Sequence, residues 1–317
     1  MKGRTMRGNH ISMLQDTLDI LVKGSYQLQG RTIRLKLSPS QMEEVEVYLP
    51  EDVQRVCNAK DFMHNHVHGR CEYGCENIDS FSLAQKRTAA YSSDPGKKKK
   101  PVLVLNLANP VRPGGGVRNG AKAQEEDLCR KSSLLLSLES RKAETYYGYN
   151  RSLHTYLGSD AVMIHPQVEI IRDENGELLP ETILVAVMSC AAPMLIHGHA
   201  EGLTQAQYEK LMYDRITGML KVAAYRGYSD LVLGAFGCGA FENDARVVSD
   251  LFCEALKAFE YDGMRADDVF RWIRFAVLCH SDNLYNYKEF SRNFDHFDQD
   301  EKRTGENQCA DSGMAPV

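Results

Sequence analysis

The chain has one tryptophan in 317 residues, no apolar run long enough to cross a bilayer and no surplus of positive charge. Each shortage removes a class of function. With no stretch near 18 consecutive apolar residues, no membrane span is expected. The N-terminus MKGRTMRGNHISMLQDTL has basic residues without an apolar run behind them, the wrong pattern for a secretory signal. A cytoplasmic protein with no membrane partner is expected. The net charge of -5 supplies no general basic field, so direct, sequence-specific nucleic-acid binding is not expected either. Nine cysteines, an odd number at irregular spacing, describe no disulfide framework, and Cys190, Cys253 and Cys279 sit in apolar segments as reduced thiols.

Nucleotide-binding signatures are also missing. A P-loop needs Gly, four residues and then Gly-Lys-Ser/Thr, and no lysine follows either glycine-rich loop in that way. A dinucleotide fingerprint needs glycine at its sixth position, where counting from Gly114 gives Asn119 and from Gly237 gives Glu242.

What is present is a chain with 43% hydrophobic residues, enough for one sizeable core, in which strand and helix patterns alternate. HISMLQDTLDIL has helical spacing, and SYQLQGRTIRLKL with EEVEVYLP reads as strands or a hairpin before the main fold. RCEYGCENIDSFSLAQKRTAAY passes from strand to helix with Asp79 or Ser80 near the cap. After a turn and lysine run, SSDPGKKKK, the segment PVLVLNLAN is a strand buried on both faces. AQEEDLCRKSSLLLSLES reads as one helix, AVMIHPQVEII and TILVAVMSCAAP as strands around a turn, and TQAQYEKLMYDRITGMLKVAAYRG as a long helix. DLVLGAF, NDARVVSDLFCEALKAF, WIRFAVLC and NLYNYKEFSRNF continue the alternation. The implied division is an N-terminal extension over 1–70 packed on the core, a core over 71–297 and a polar, disordered tail over 298–317.

An α/β sheet of this kind binds ligands beyond the carboxyl ends of its strands. Two loops compete for that place, NPVRPGGGVRNGA after the strand ending near Ala108 and GAFGCGAFEN after DLVLGAF. Both lead into helices, so backbone N–H groups can converge there on an anion such as a diphosphate. Glycines that only form tight turns are the plainer reading.

Adjacent acids Glu125 and Glu126 follow the first loop. Neighbouring residues on a helix point about 100° apart, so the pair cannot face each other across a scissile bond as ordinary glycosidase carboxylates do. If they act together, one does chemistry and the other positions. The plainer reading is a charged helix start that complements the helix dipole.

Three glycines followed after seven residues by Gln-Glu-Glu, GGGVRNGAKAQEE, resemble the signature of poly(ADP-ribose) glycohydrolases. The longer string LNLANPVRPGGGVRNGAKAQEEDLCRKSSLL, with LGAFGCGAFEN, resembles the microbial-type branch of that family. The resemblance implies a macro-domain-like, three-layer α/β/α fold with a mixed central sheet, working without cofactor or metal on ADP-ribose polymer or ADP-ribosylated macromolecules. It implies that Glu126 is catalytic and that Glu125 holds ribose hydroxyls. Gly114, Gly115 and Gly116, with Val117 and Gln124 of the same signature, would bring backbone to the distal ribose and diphosphate, and Asn109 would lie at that ribose. Gly237, Cys238, Gly239 and Ala240 would form the diphosphate loop, Phe241 would pack on the terminal ribose, and Asp79 would bind adenine.

HNHVHGRCEYGC offers His64, His66, His68, Cys71 and Cys75 as metal ligands, but at no standard zinc spacing. Cys190 and Cys238 lack a His or Asp pattern that would make them nucleophiles. Three functions compete: hydrolysis of poly(ADP-ribose), acting from the chain end; removal of single ADP-ribose units from protein or nucleic acid; and noncatalytic reading of ADP-ribose. A reader needs the glycine loops but not the doubled acid.

Overall fold

The computed structural model describes residues 6–60, 70–91, 100–197, 199–279 and 283–297. In chain order, the N-terminal part comprises α1 (Met6–Lys23), β1 (Ser25–Leu28), β2 (Arg31–Arg34), α2 (Pro39–Met42), β3 (Glu46–Tyr48) and α3 (Pro50–Cys57). There follow β4 (Glu72–Glu76), α4 (Ser80–Tyr91), β5 (Leu103–Leu107), α5 (Gln124–Lys131), α6 (Leu134–Leu138) and α7 (Glu144–Ser152). The remainder is β6 (Val162–Arg172), β7 (Leu178–Cys190), α8 (Gln205–Tyr225), β8 (Asp230–Leu233), α9 (Ala245–Lys257), β9 (Glu260–Tyr261), β10 (Met264–Arg265), α10 (Ala266–Val269), β11 (Trp272–Ala276) and α11 (Tyr285–Phe294).

Seven strands form the central sheet in the order β3-β6-β7-β5-β8-β11-β4. The run β7-β5-β8-β11-β4 is parallel, and β3 and β6 pair antiparallel at one side. Strand alternation sorts the core into two layers. Leu103, Leu105, Leu231, Leu233, Ile273 and Phe275 face the layer completed by α3, α8, α9 and α11. Val102, Val104, Val187 and Val232 face the layer completed by α1, α4, α5, α6 and α7. This is the expected three-layer α/β/α arrangement with a mixed sheet. Among the described residues no helix is long and apolar enough to cross a membrane.

SYQLQGRTIRLKL is a hairpin: β1 and β2 pair antiparallel, and Gln29 and Gly30 turn the chain with φ of 49° and 76°. EEVEVYLP goes elsewhere, because β3 joins β6 in the main sheet and α3 packs into the core through Val53 and Val56. The division expected at residue 70 therefore has main-sheet structure on both sides. The preceding segment is anchored by Glu169 of β6, whose carboxylate accepts the N–H groups of Lys36 at 2.7 Å and Leu37 at 3.0 Å. The tail 298–317 and most of SSDPGKKKK lie outside the described residues.

The segment expected as one helix from Gln124 is two. Ser132 leaves the helical path with φ of -151° and bridges to Ile170, and Ser133 exchanges hydrogen bonds with the backbone of Glu169. Pairing with β6 overrides helix propensity at this point.

Candidate active site

A cleft of about 1250 Å³ opens at the carboxyl ends of the parallel strands. Leu107 to Asn109 enter it from β5, Ala235 to Gly237 from β8, Val277 and Leu278 from β11, Asn77 to Ser80 from β4 and Ala192 from β7. Both acids line it, as do Asn109, Gln124, Asp79, Gly237, Gly239, Ala240 and Phe241. Gly114, Gly115, Gly116, Val117 and Cys238 are not part of its lining.

The two acids stand in the first turn of α5 and are nearly sealed from solvent, 3% and 7% exposed. Glu125 is turned toward β5: its Oε2 accepts the Asn109 N–H at 2.9 Å, and its Oε1 accepts the Asn106 amide at 3.3 Å. Burial pushes its carboxyl up to about 8, against the lowering effect of the Asn109 N–H and Asn106 amide. Glu126 Oε1 accepts the Gly116 N–H at 2.8 Å, while its Oε2 is buried without a partner among the described residues. One carboxyl is tied at both oxygens and the other is tied at one.

The glycines explain how two acids fit side by side. Gly115 has φ of +57°, and a Cβ there would lie 2.6 Å from Glu126 Oε1 and 3.0 Å from Glu125 Oε2. A Cβ on Gly114, at φ of +64°, would meet Leu135 at 2.7 Å. The bare backbone here makes room for carboxylates and core side chains. Val117 is a core residue, 1% exposed, on a short 3₁₀ turn. These positions pack around the two acids, and the Gly116 N–H holds Glu126 in place.

Gln124 lines the cleft and is also tied to β5. Its amide donates to the Leu105 carbonyl at 2.7 Å and to Ser80 Oγ at 3.1 Å, and its Oε1 accepts the Leu107 N–H at 2.9 Å. It extends the hydrogen bonding of β5 and pins the start of α5 to that strand. Asp79 caps α4, its Oδ1 accepting the N–H groups of Phe81 and Ser82 at 3.1 Å each and its Oδ2 accepting the Ser82 hydroxyl. Asn109 Oδ1 is occupied by the N–H groups of Val111 and Arg112.

In the second loop the N–H groups of Cys238, Glu242 and Asn243 bond to loop carbonyls, whereas those of Gly237, Gly239, Ala240 and Phe241 have no partner among the described residues. Free N–H groups in one tight turn make an anion-binding nest. Asn243 holds the turn closed: its amide donates to Pro193, Gly237 and Phe241 carbonyls, and its Oδ1 accepts the Tyr208 hydroxyl. The N-terminus of α9 is occupied by its own cap, since Asp244 accepts the N–H groups of Arg246 and Val247. The N–H groups that this loop leaves free are therefore those of the turn rather than those of the helix end.

Neither thiol is an active nucleophile. Burial pushes Cys190 up to about 12 and raises Cys238 as well, so both stay protonated at neutral pH. His64, His66 and His68 lie outside the described residues, while Cys71 and Cys75 are buried in the core.

Sequence reasoning did not single out Asn106 or Asn243. The available signal for Asn106 was a polar side chain inside an otherwise apolar strand, LVLNL. Asn243 carried no signal beyond lying next to the helix cap.

The chain is similar to several known proteins. Residues 14–173 match the family described as Microbial-type PARG, catalytic domain. The crystal structure of poly(ADP-ribose) glycohydrolase from Thermomonospora curvata is 28% identical, with a TM-score of 0.78 over 90% of this chain and 99% of that one. The same protein bound to the inhibitor ADP-HPD gives a TM-score of 0.76 at the same identity and coverage. Poly(ADP-ribose) glycohydrolase from Deinococcus radiodurans in complex with ADP-ribose is 31% identical, with a TM-score of 0.68 over 82% of this chain and 97% of that one. No curated protein matches the chain. These matches show that the chain belongs to the microbial-type poly(ADP-ribose) glycohydrolase family.

Proposed function

We propose that this protein hydrolyses the ribose–ribose O-glycosidic bond of poly(ADP-ribose), working from the chain end and releasing ADP-ribose. The observation that carries the assignment is the unpartnered Oε2 of Glu126, buried at the cleft beside a second, fully bonded carboxyl. A buried carboxyl oxygen without a partner is costly unless it carries a proton or meets a ligand. A glycosidic oxygen that must leave as an alcohol needs such a donor.

In this reading the terminal ADP-ribose lies along the cleft. The diphosphate takes the free N–H groups of Gly237, Gly239, Ala240 and Phe241. Phe241 packs on the terminal ribose, Asn109 borders it, and Glu125 accepts its hydroxyls. The adenine lies toward Asp79 at the mouth of β4, where the aspartate also caps α4. Val117, Gln124 and Cys238 support these groups without touching the ligand.

The proton for the leaving group comes from Glu126 Oε2. Glu126 donates it to the departing ribose oxygen as the C–O bond breaks, leaving an oxocarbenium-like sugar whose charge the ligand's own diphosphate offsets. Water then attacks the anomeric carbon, and Glu126 takes back a proton. Glu125 keeps the ring in place through both steps.

Glu126→Gln tests the assignment. Polymer hydrolysis should fall by about 10³-fold or more, the scale of a lost general acid, while calorimetric titration still shows ADP-ribose binding. Near-normal turnover would overturn it. A time course on long polymer should release ADP-ribose from the outset with no intermediate oligomers. Parallel assays on mono-ADP-ribosylated protein separate polymer hydrolysis from removal of single units.

A further inference from the structure

Behind Glu125 runs a line of polar side chains on the face of the sheet covered by α5 and α6. Asn106 of β5 and Ser189 of β7 are direct partners in the strand register, and the Asn106 amide donates to Ser189 Oγ at 2.9 Å. Ser189 Oγ is 3.0 Å from His165 Nε2 on β6, and His165 Nδ1 is 2.8 Å from Ser137 Oγ on α6. Ser137 in turn donates to the Leu134 carbonyl at 2.9 Å. All four are at most 1% exposed, in a layer otherwise filled by Val104, Met163, Val185 and Val187.

One order of donors satisfies every contact in this line and leaves only Asn106 Oδ1 without a partner among the described residues. With the Ser137 hydrogen on the Leu134 carbonyl, Ser137 accepts from His165 Nδ1–H. A neutral ring protonated at Nδ1 leaves Nε2 as an acceptor for the Ser189 hydroxyl. Ser189, its hydrogen spent on His165, accepts from Asn106. The amide nitrogen of Asn106 is thereby directed to Ser189 with one hydrogen and to Glu125 Oε1 with the other. The opposite amide orientation would set its oxygen against Glu125 and leave Ser189 without a donor. Burial supports the same arrangement, because it pushes His165 down to about 3 and keeps the ring neutral.

We propose that Asn106, Ser189, His165 and Ser137 form a positioning line for Glu125, with His165 as the residue that fixes its direction and Asn106 as the end that holds the carboxyl toward the ribose. The line crosses three adjacent strands and ends on a helix, so the orientation of Glu125 is set by the body of the sheet rather than by its own loop. The proposal rests on the ribose-holding role of Glu125 given above.

ADP and ADP-ribose differ by the distal ribose, so their affinities for the full-length protein, measured by calorimetric titration, isolate this role. Ser189→Ala breaks the line at its centre with little change of volume. It should weaken ADP-ribose binding by about tenfold, the scale of one intramolecular hydrogen bond, and leave ADP binding unchanged. Glu125→Ala should lose the same preference for ADP-ribose by itself, and adding Ser189→Ala to it should cause no further loss. A buried serine that only supports packing would move both ligands together or neither. Wild-type preference in Ser189→Ala overturns the proposal, as does an equal additional loss in the Glu125→Ala background. If Glu125→Ala keeps the wild-type preference, it is the ribose-holding role that fails, a separate and recognisable result. His165→Gln, scored the same way and alongside its melting temperature, provides a second break in the line should Ser189→Ala fold poorly.

Discussion

At Gly115 a single carbon separates a site with room for two carboxyls from one without it. Its φ of +57° and the 2.6 Å approach of a Cβ to Glu126 Oε1 mean that Gly115→Ala strains the turn and displaces an acid at once. Displacement of a catalytic group by about 1 Å costs on the order of 100-fold in rate, so polymer turnover by Gly115→Ala should fall by at least that much in a steady-state assay. Glu125 gives a prediction in pH. Its carboxyl rises from 4.5 to about 8 on folding, so the folded chain binds that proton more tightly than the unfolded chain. The associated stability is fully present below pH 4.5 and is lost as pH rises through about 8, on the order of a few kcal/mol in all. Denaturant titrations at several pH values should show wild-type stability falling over this window relative to Glu125→Gln, and parallel curves would refute the shift. The acids were legible in the sequence because their spacing from three glycines is a local pattern. Asn106, Ser189 and His165 were not, because they lie as far as 83 residues apart and come together only through strand order, which periodicity does not encode.

At the scale of elements, α5 carries both acids yet is short, and its first turn has no side-chain cap from Ala123. Its position depends on Gln124, which substitutes for a further strand residue by bonding to both the carbonyl of Leu105 and the N–H of Leu107. Gln124→Leu should destabilise the protein by about 1–3 kcal/mol through unpaired buried backbone groups, read as a lower denaturation midpoint. It should lower turnover as well, since the helix that aims Glu126 loses its tether. Apolar periodicity identified most elements correctly, including both strands that launch the site loops. It joined α5 to α6 because the apolar run LLLSL follows in helical phase, and it could not register that Ser132 and Ser133 are engaged by β6.

At the scale of the molecule, the N-terminal segment is built into the support of the site. Thr17 of α1 donates to the Arg130 carbonyl at the end of α5 at 2.7 Å and accepts from Arg172 of β6 at 3.0 Å, linking three elements through one buried hydroxyl. His10 reaches the Gly120 carbonyl on the loop before α5 at 3.3 Å. Removing residues 1–37 should therefore lower the melting temperature and abolish polymer hydrolysis together; a truncated chain with full activity would show that α5 holds itself. The two loops that form the cleft leave β5 and β8, which are neighbours in the sheet. Neighbouring strands are held about 4.8 Å apart by backbone hydrogen bonds whatever their side chains, so the gap between the two loops is gauged by the main chain. Chemistry and fit should thus be separable: with residue 126 disarmed, the protein is expected to become a capture reagent for ADP-ribose, cut to the same measure as the enzyme.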